Sequence, residues 1–452
     1  MALANELSAF VQSLKLDSLD DETVSEARTL LLDALACTIA GADAAVASIA
    51  MAGVSPWRDG SGATIVVHGG RTDPAGAAFV NGAMLRSLDL MDTYVALDVC
   101  HPSEIIPVAL ACAESGGASG AEFLATMVAG LSVHQSLAQT IPLHRHGLHH
   151  AGHAAWVVPL VAGRLLARSA ACAATALTVT AHRLLIPETF ARGQLTNFKA
   201  MAYPLLAREA IEAVRLAQAG LTGSTTACED MVALLEERFG MSIARPGIVP
   251  SMPVDLSTIS LKMYPAQYAL QPLIAAAGLV HAAGGPGAAA RIERVIVRAS
   301  RRTVERTADK AKYAPSGAEA ADHSLPFCVA VALMDGTVTP SAFASGRWKD
   351  RETLSLMERI VAMPIGATTG YEVGPQEMEI RYVDGSAENV PCHYPPDGET
   401  PRTIAERKLR EASRGRVDAD AILEVVMNIE NEPDLGRLAK ALTKAMQAPT
   451  HR

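Results

Sequence analysis

Apolar side chains recur at three- and four-residue spacing along residues 19–40, at Val24, Ala27, Leu30, Leu31, Ala34 and Leu35. That is the period of one buried helix face. The pattern returns at 73–90, 103–113, 120–139, 149–167, 171–185, 199–219 and 227–239, separated by short Gly- and Ser-rich turns such as 115–120. A chain built this way over its first 240 residues is constrained to pack helix on helix. The apolar mass suits that: 49% of residues are hydrophobic but only 4% are aromatic. Ala, Leu, Val and Ile supply the rest, and Ala favours closely packed helices. No fixed-period repeat runs through the segments, which argues against a solenoid.

The texture changes near residue 241. Pro246, Pro250 and Pro253 break the helical pattern, and Gly284, Gly285, Pro286 and Gly287 break it again. Residues 291–298 (RIERVIVR) and 377–383 (EMEIRYV) alternate like half-buried strands, the second before an Asp384-Gly385 turn. Residues 324–334 and 351–361 read as helices. After Pro395, Pro396 and Pro401 the helical pattern returns at 404–412, 418–428 and 434–446. The expected fold class is mainly α. Residues 1–262 form a large all-helical unit completed by 401–452, and 263–400 form a smaller α+β unit.

The bulk numbers exclude several function classes. At 452 residues the chain holds two or three domains with a large core. A net charge of −9 offers no footprint for nucleic acid or an anionic membrane. An acidic substrate therefore has to meet a few converging Lys, Arg and His residues. The seven cysteines are scattered, odd in number and lack any C-x-x-C, which fits reduced cytoplasmic thiols rather than disulfides or structural zinc. The most apolar run, 154–167, is interrupted by Gly163 and Arg164 and is too short to span a bilayer. The N-terminus lacks the basic and apolar regions of a secretory signal.

Five places carry residues suited to chemistry. The segment 86–104 (RSLDLMDTYVALDVCHPSE) packs Asp89, Asp92, Thr93, Asp98 and His101 between two helical runs. Carboxylates, a hydroxyl and an imidazole build a poor core and a good acid/base site. The alternative is a solvated helix end capped by Asp89 or Asp92. Residues 142–156 (PLHRHGLHHAGHAAW) place His144, His146, His149, His150 and His153 around a helix start. His149 and His153 have the i, i+4 spacing of paired zinc ligands, but no interior Glu or third ligand accompanies them, so no metal is assigned. One or two imidazoles offered to a substrate is the reading preferred over surface histidines beside Arg145.

Lys199 opens a helix, where a cation opposes the helix dipole, so a use other than helix stability is indicated. Arg192 and the Gly193 turn add positive potential before it. Lys262, with Tyr264, Tyr268 and Gln271, sits at the unit boundary and is placed to clamp a carboxylate. Asp322, His323 and Ser324 open another helix, where Asp322 and Ser324 also read as caps. A Ser–His–Asp hydrolase is excluded, because no G-x-S-x-G elbow is present. The glycines at 68–76 match neither a phosphate loop nor a dinucleotide fingerprint.

Taken in order, these segments resemble the MmgE/PrpD family over nearly the whole chain. The resemblance rests on VNGAMLRSLDLMDTY, HPSE, HGLHH, GQLTNFKA, AREAIEAVRLAQAGLTG, SLKMYPAQYALQ, ADHSLPFCVAVALMDG and YVDGS. Members include 2-methylcitrate dehydratase, cis-aconitate decarboxylase and iminodisuccinate epimerase. The resemblance implies a helical domain with an α+β lid, a homodimer, and a site between the domains. It also implies proton transfer beside a carboxylate of a small polycarboxylate, without metal or organic cofactor.

Site positions carried over are Asp89, Thr93, His101, Lys199 and Lys262, with His149 or His150 as a further imidazole. The dehydratase-like pattern favours His150 and the decarboxylase-like pattern His149. On that basis His101, His150, Lys199 and Asp89 are expected to be catalytic, with Asp89 orienting an imidazole. Thr93, Lys262, His149, Arg192 and Gln271 are expected to bind substrate. Arg86 and DHSLP look more like the dehydratase branch. Three departures, Met91, Phe327 and Leu270, are expected to reshape the pocket.

Overall fold

A computed structural model describes residues 2–55, 61–285, 287–366 and 374–443. The chain is mainly helical, with one four-stranded sheet in its second half. The helices used below are α1 (Asp21–Ala40), α2 (Pro74–Arg86), α3 (Ile106–Gly116), α4 (Gly120–Thr140), α5 (Ala154–Ala162), α6 (Phe198–Gln218) and α7 (Pro401–Ser413). Their starts follow from side-chain caps that satisfy orphan N–H groups. Asp20 accepts from Thr23, Asp73 from Ala75 and Gly76, Ser119 from Glu122, and Thr400 from Thr403. Helix α3 ends on Gly117 at φ +61°, a left-handed turn that glycine adopts without strain.

Two hydrophobic cores form. The first gathers buried residues from Ala4 to Leu261 and takes in Ile404 to Leu442, so the C-terminal helices pack back onto the first half. Lys408 on α7 is buried, pairs with Asp33 on α1, and donates to the Leu90 carbonyl at 2.8 Å. The second core runs from Ala266 to Val390. Lys262 therefore lies on the short crossing between cores.

The sheet consists of β1 (Ile292–Ser300), β2 (Ile360–Ile365), β3 (Glu377–Tyr382) and β4 (Ala387–Pro391) in the order β2-β1-β3-β4. β1 pairs parallel with β2 (Val295 opposite Ile360) and antiparallel with β3 (Ile296 opposite Glu379). The strand expected at 291–298 buries Val295, Ile296 and Val297 in succession, because it is an interior strand covered on both faces.

Three expected helices end or begin differently. Residues 351–361 divide into a helix, Arg351–Met357, and strand β2, since the β-branched Ile360 and Val361 pair along β1. Residues 149–167 open with a 3₁₀ turn at 150–153, continue as α5, and close in a π turn at 163–167. The last expected helix, 434–446, is seen as Gly436–Ala441, and residues 444–446 lie outside the described residues. Among the described residues no single helix is long and apolar enough to cross a membrane.

Candidate active site

The segment after α2 is shaped from both ends. Arg86, the last residue of α2, is buried in an ion pair with Glu104 and donates to the Lys199 carbonyl at 3.3 Å. Thr93 and Ser260 exchange backbone hydrogen bonds of 2.8 and 2.9 Å, which draws the Lys262 segment alongside. Asp89 adopts φ +49°, a left-handed conformation that Asp tolerates better than most residues.

Asp89 lies where two buried lysines meet. Lys262 Nζ donates to Asp89 Oδ1 at 2.7 Å and to its carbonyl at 2.9 Å. Lys199, at the start of α6, donates to Asp89 Oδ2 at 3.2 Å and to Asp322 Oδ2 at 3.1 Å. His323 Nδ1 pairs with Asp322 and lies 3.4 Å from Asp89 Oδ2. Burial alone raises the Asp89 pKa, but Lys199 and Lys262 outweigh it and hold the carboxyl well below its usual range. Burial also opposes the Lys199 ammonium, yet Asp322 and Asp89 overcome it and raise its pKa. For Lys262 burial wins and lowers the pKa, with Asp89 opposing.

The imidazoles differ in which nitrogen is engaged. His101 Nδ1 lies 2.6 Å from the Asp92 carbonyl, an acceptor only, so Nδ1 carries the proton and Nε2 a lone pair. The orienting group for His101 is thus a backbone carbonyl, and Asp89 instead orients the lysines and His323. Burial, Lys262 and Arg86 push the His101 pKa well below its ordinary value, so the ring is neutral at pH 7. The Thr93 hydroxyl lies 3.4 Å from the same Nδ1. The Asp92 carboxylate is turned away, accepting from Ser103 N at 3.0 Å and Ser103 Oγ at 2.6 Å.

His149 has the opposite tautomer. Its Nδ1 accepts the Ala151 N–H at 3.1 Å, so the neutral ring carries its proton on Nε2. The ring packs on Phe190 at 4.7 Å between centroids. His150 is engaged on both sides. His144 donates from Nδ1 to Asp98 Oδ1 at 2.6 Å, which leaves its Nε2 to accept from His150 Nδ1 at 3.5 Å. His150 Nε2 is buried 3.8 Å from Glu104 Oε2.

A cavity of about 130 Å³ opens between the two cores. Asp89, Thr93, His101, His149, His150, Lys199 and Lys262 all line it. So do Arg86, Arg302, Arg306 and His323, and Asp89 is the one acidic side chain on the described wall. Such a wall favours a small polyanion.

Two expected binding residues lie elsewhere. The Arg192 side chain is 64% exposed and pairs with Glu188 at 2.8 Å, outside the cavity. Gln271 is fully buried: it accepts from Met263 N and Tyr264 N at 3.0 Å and donates to the Tyr264 and Ala266 carbonyls. It pins the loop that follows Lys262, and proximity in sequence gave no means of separating that task from ligand contact. Met91, Phe327 and Leu270 are buried in the cores and do not line the cavity.

Asp322 and His323 joined the site instead. The cap reading holds for Ser324, which accepts from Phe327 N at 3.1 Å, and frees its two predecessors to face Lys199. Arg302 and Arg306, on the short helix Arg301–Thr307 after β1, carried no sequence motif.

Among the described residues, three groups of donors lie close enough to hold a metal ion. Asp89, Asp322 and His323 are taken up by Lys199, and His144, His149 and His150 by the hydrogen bonds above. Cys100, His134 and His153 form a third group in the helical core, and no hydrogen bond reaches the four ring nitrogens of its two histidines among the described residues.

Residues 5–240 match the MmgE/PrpD N-terminal domain and residues 264–431 the MmgE/PrpD C-terminal domain. The cis-aconitate decarboxylase of Homo sapiens is 24% identical over 490 residues, covering 99% of this chain and 95% of the relative. The cis-aconitate decarboxylase of Mus musculus is 24% identical, covering 99% and 94%. The cis-aconitate decarboxylase-like protein oryM of Aspergillus oryzae is 27% identical over 132 residues, covering 28% of this chain and 27% of the relative. With both domains matched in order across most of its length, the chain belongs to the MmgE/PrpD family.

Proposed function

We propose that this protein is a cofactor-independent lyase acting on a small polycarboxylate, with dehydration of a 2-methylcitrate-like tricarboxylate as its reaction. The observation that carries this reading is the neutral His101 ring, its lone pair on Nε2, in the wall of a cavity rich in cations. A base of that kind takes a proton from the carbon beside a substrate carboxylate. The negative charge that builds on that carboxylate meets Lys199 and Lys262, fixed in a low-dielectric site where such stabilisation is largest. The His149 Nε2–H and the Thr93 hydroxyl add hydrogen bonds to the substrate's oxygens. The proton held by His101 is returned to the leaving hydroxyl. C–H and C–O bonds break, a C=C bond forms, and water departs.

His149 takes the substrate-binding place and His150 stands behind it, because the nitrogens of His150 turn toward His144 and Glu104. This reading keeps the substrate-binding role expected of His149 and departs from the catalytic role expected of His150.

Decarboxylation of cis-aconitate is the second reading, favoured by the two full-length relatives. The same groups would serve it: the lysines hold the charge left when CO2 departs, and an imidazole delivers a proton to carbon. Purified, chelator-treated protein incubated with 2-methylcitrate, citrate and cis-aconitate separates the two by product mass. Loss of water supports the dehydratase, and loss of CO2 from cis-aconitate replaces it with the decarboxylase. No change in any acid refutes both.

A further inference from the structure

Behind the proposed base, the helical core holds the third group of donors. Cys100 precedes His101, His134 lies on α4, and His153 closes the 3₁₀ turn that leads into α5. All three are fully buried, at 0% exposure. The Cys100 Sγ and one ring nitrogen of each histidine lie within 4.8 Å of one another. The two rings meet edge to face with centroids 5.2 Å apart, and Tyr203 on α6 stacks against His134 at 5.8 Å.

Packing alone explains these side chains poorly. A buried ring nitrogen without a partner is costly, yet among the described residues neither nitrogen of His134 nor of His153 makes a hydrogen bond. The Pro102 carbonyl favours a proton on the His134 ring without reaching hydrogen-bond geometry. The Cys100 thiol makes a long contact, 4.0 Å to the His134 carbonyl. A thiolate and two imidazoles are ligands that select Cu(I) or zinc over magnesium or calcium. Zinc in closed structural sites takes four ligands, and here three converge. Charge points the same way. A thiolate with two neutral imidazoles carries a single negative charge, which a monovalent cation cancels. A divalent cation would leave a buried positive charge, which is costly. Asp98, the carboxylate that acts on His153, is already committed to His144 at 2.6 Å.

We propose that Cys100, His134 and His153 form a three-ligand site for a soft monovalent cation, Cu(I). Binding replaces the thiol proton: the S–H bond breaks, a sulfur–copper bond forms, and the proton leaves to solvent with no change of oxidation state. None of the three residues lines the polycarboxylate cavity, so the inference is independent of the reaction proposed above, and no step of that reaction passes through the ion. The bound ion would tie the residue before His101 to α4 and to the start of α5.

Anaerobic titration of the full chain with Cu(I) buffered by bicinchoninate, followed by gel filtration and metal analysis, tests this. Because the site is closed, protein from copper-supplemented cultures is measured as well. The wild type is expected to hold about one copper ion per chain. X-ray absorption at the copper edge should show a single sulfur and a pair of imidazole nitrogens. Cys100→Ser and His153→Leu should each weaken binding at least about a hundredfold, the upper end of what losing a group that merely supports a metal ligand costs. Cys392→Ser, at a half-buried thiol elsewhere, should leave it unchanged. Thermal unfolding gives a second readout. His153→Leu removes ring nitrogens that no partner holds, so its Tm without copper should match or exceed that of the wild type. Copper should raise the Tm of the wild type and not that of His153→Leu. Copper retained in both ligand variants, or held through a pair of sulfurs, would overturn the proposal. So would a wild type that takes up no copper by either route. In that case a lower Tm for His153→Leu would assign the cluster to a buried water molecule instead.

Discussion

Replacing Asp89 by Asn removes one charge and changes little else. Asn tolerates the left-handed backbone at φ +49° nearly as well as Asp, so strain is not added. The loss falls on two buried ammonium groups, Lys262 at 2.7 Å and Lys199 at 3.2 Å. Removing one partner of a buried ion pair costs about 3–5 kcal/mol. Asp322 remains beside Lys199, and the Asp89 carbonyl remains beside Lys262. The expected cost is therefore at the lower end, about 3 kcal/mol. For a large domain that corresponds to a fall of roughly 6–12 °C in Tm. Asp89→Ala adds the penalty for a left-handed residue, roughly a further 1–2 kcal/mol.

Calorimetric unfolding at pH 7 measures both. A second arm adds propane-1,2,3-tricarboxylate. The uncovered lysines in Asp89→Asn accept its carboxylates, so the ligand should raise the variant's Tm by more than the wild type's. A fall of less than about 2 °C, which is under about 1 kcal/mol, would refute the view that Asp89 holds the lysine pair. So would a ligand that stabilises the wild type more.

Acid should destabilise the fold through its histidines. Burial lowers the pKa values of His101, His134, His149 and His150 well below 6.5, and that of His153 to about 4. The unfolded chain binds protons first, so this stability is complete above about pH 6.5 and is lost as pH falls toward 4. Tm should drop between pH 7 and pH 5, and a flat profile would contradict it. With His101 as the proposed base, the acid limb of kcat/KM should likewise lie below pH 6.5. Gly152→Ala would place a Cβ 2.3 Å from the Leu184 carbonyl. It should shift the 149–153 turn, cost roughly 1–3 kcal/mol in unfolding assays and weaken tricarboxylate binding. Gln271→Leu strips hydrogen bonds from buried backbone groups of residues 263–266 and should lower stability by about 1–3 kcal/mol. Ligand contact by Gln271 would instead show as weaker binding with an unchanged Tm.

Much of the site was legible because its residues interrupt helical patterns. Asp89, Thr93 and His101 sit between apolar runs, and Lys199 sits where a helix start disfavours a cation. Those are local signals, and the helices around them were legible for the same reason. Strand β2 was missed because Ile360 and Val361 continue a helical pattern locally and become a strand only by pairing with β1. Arg302 and Arg306 were missed because the short charged helix Arg301–Thr307 after β1 carries no local sign that it faces a cavity until the two cores meet. Gln271 and Arg192 show the reverse error. Each lies near a site residue in sequence, but one ties down backbone and the other meets solvent and Glu188. His149 and His150 are adjacent, and only their hydrogen-bond partners separate them.

The claim on which the account depends is that His101 Nε2 takes a proton from carbon, a step that runs in both directions. Incubating the protein with 2-methylcitrate and with cis-aconitate in D2O, and following deuterium at carbon by mass and NMR, measures that step. The wild type should introduce solvent deuterium into substrate or product. His101→Asn should do so at least about a hundredfold more slowly while still binding propane-1,2,3-tricarboxylate. Exchange at the wild-type rate in His101→Asn would contradict the account.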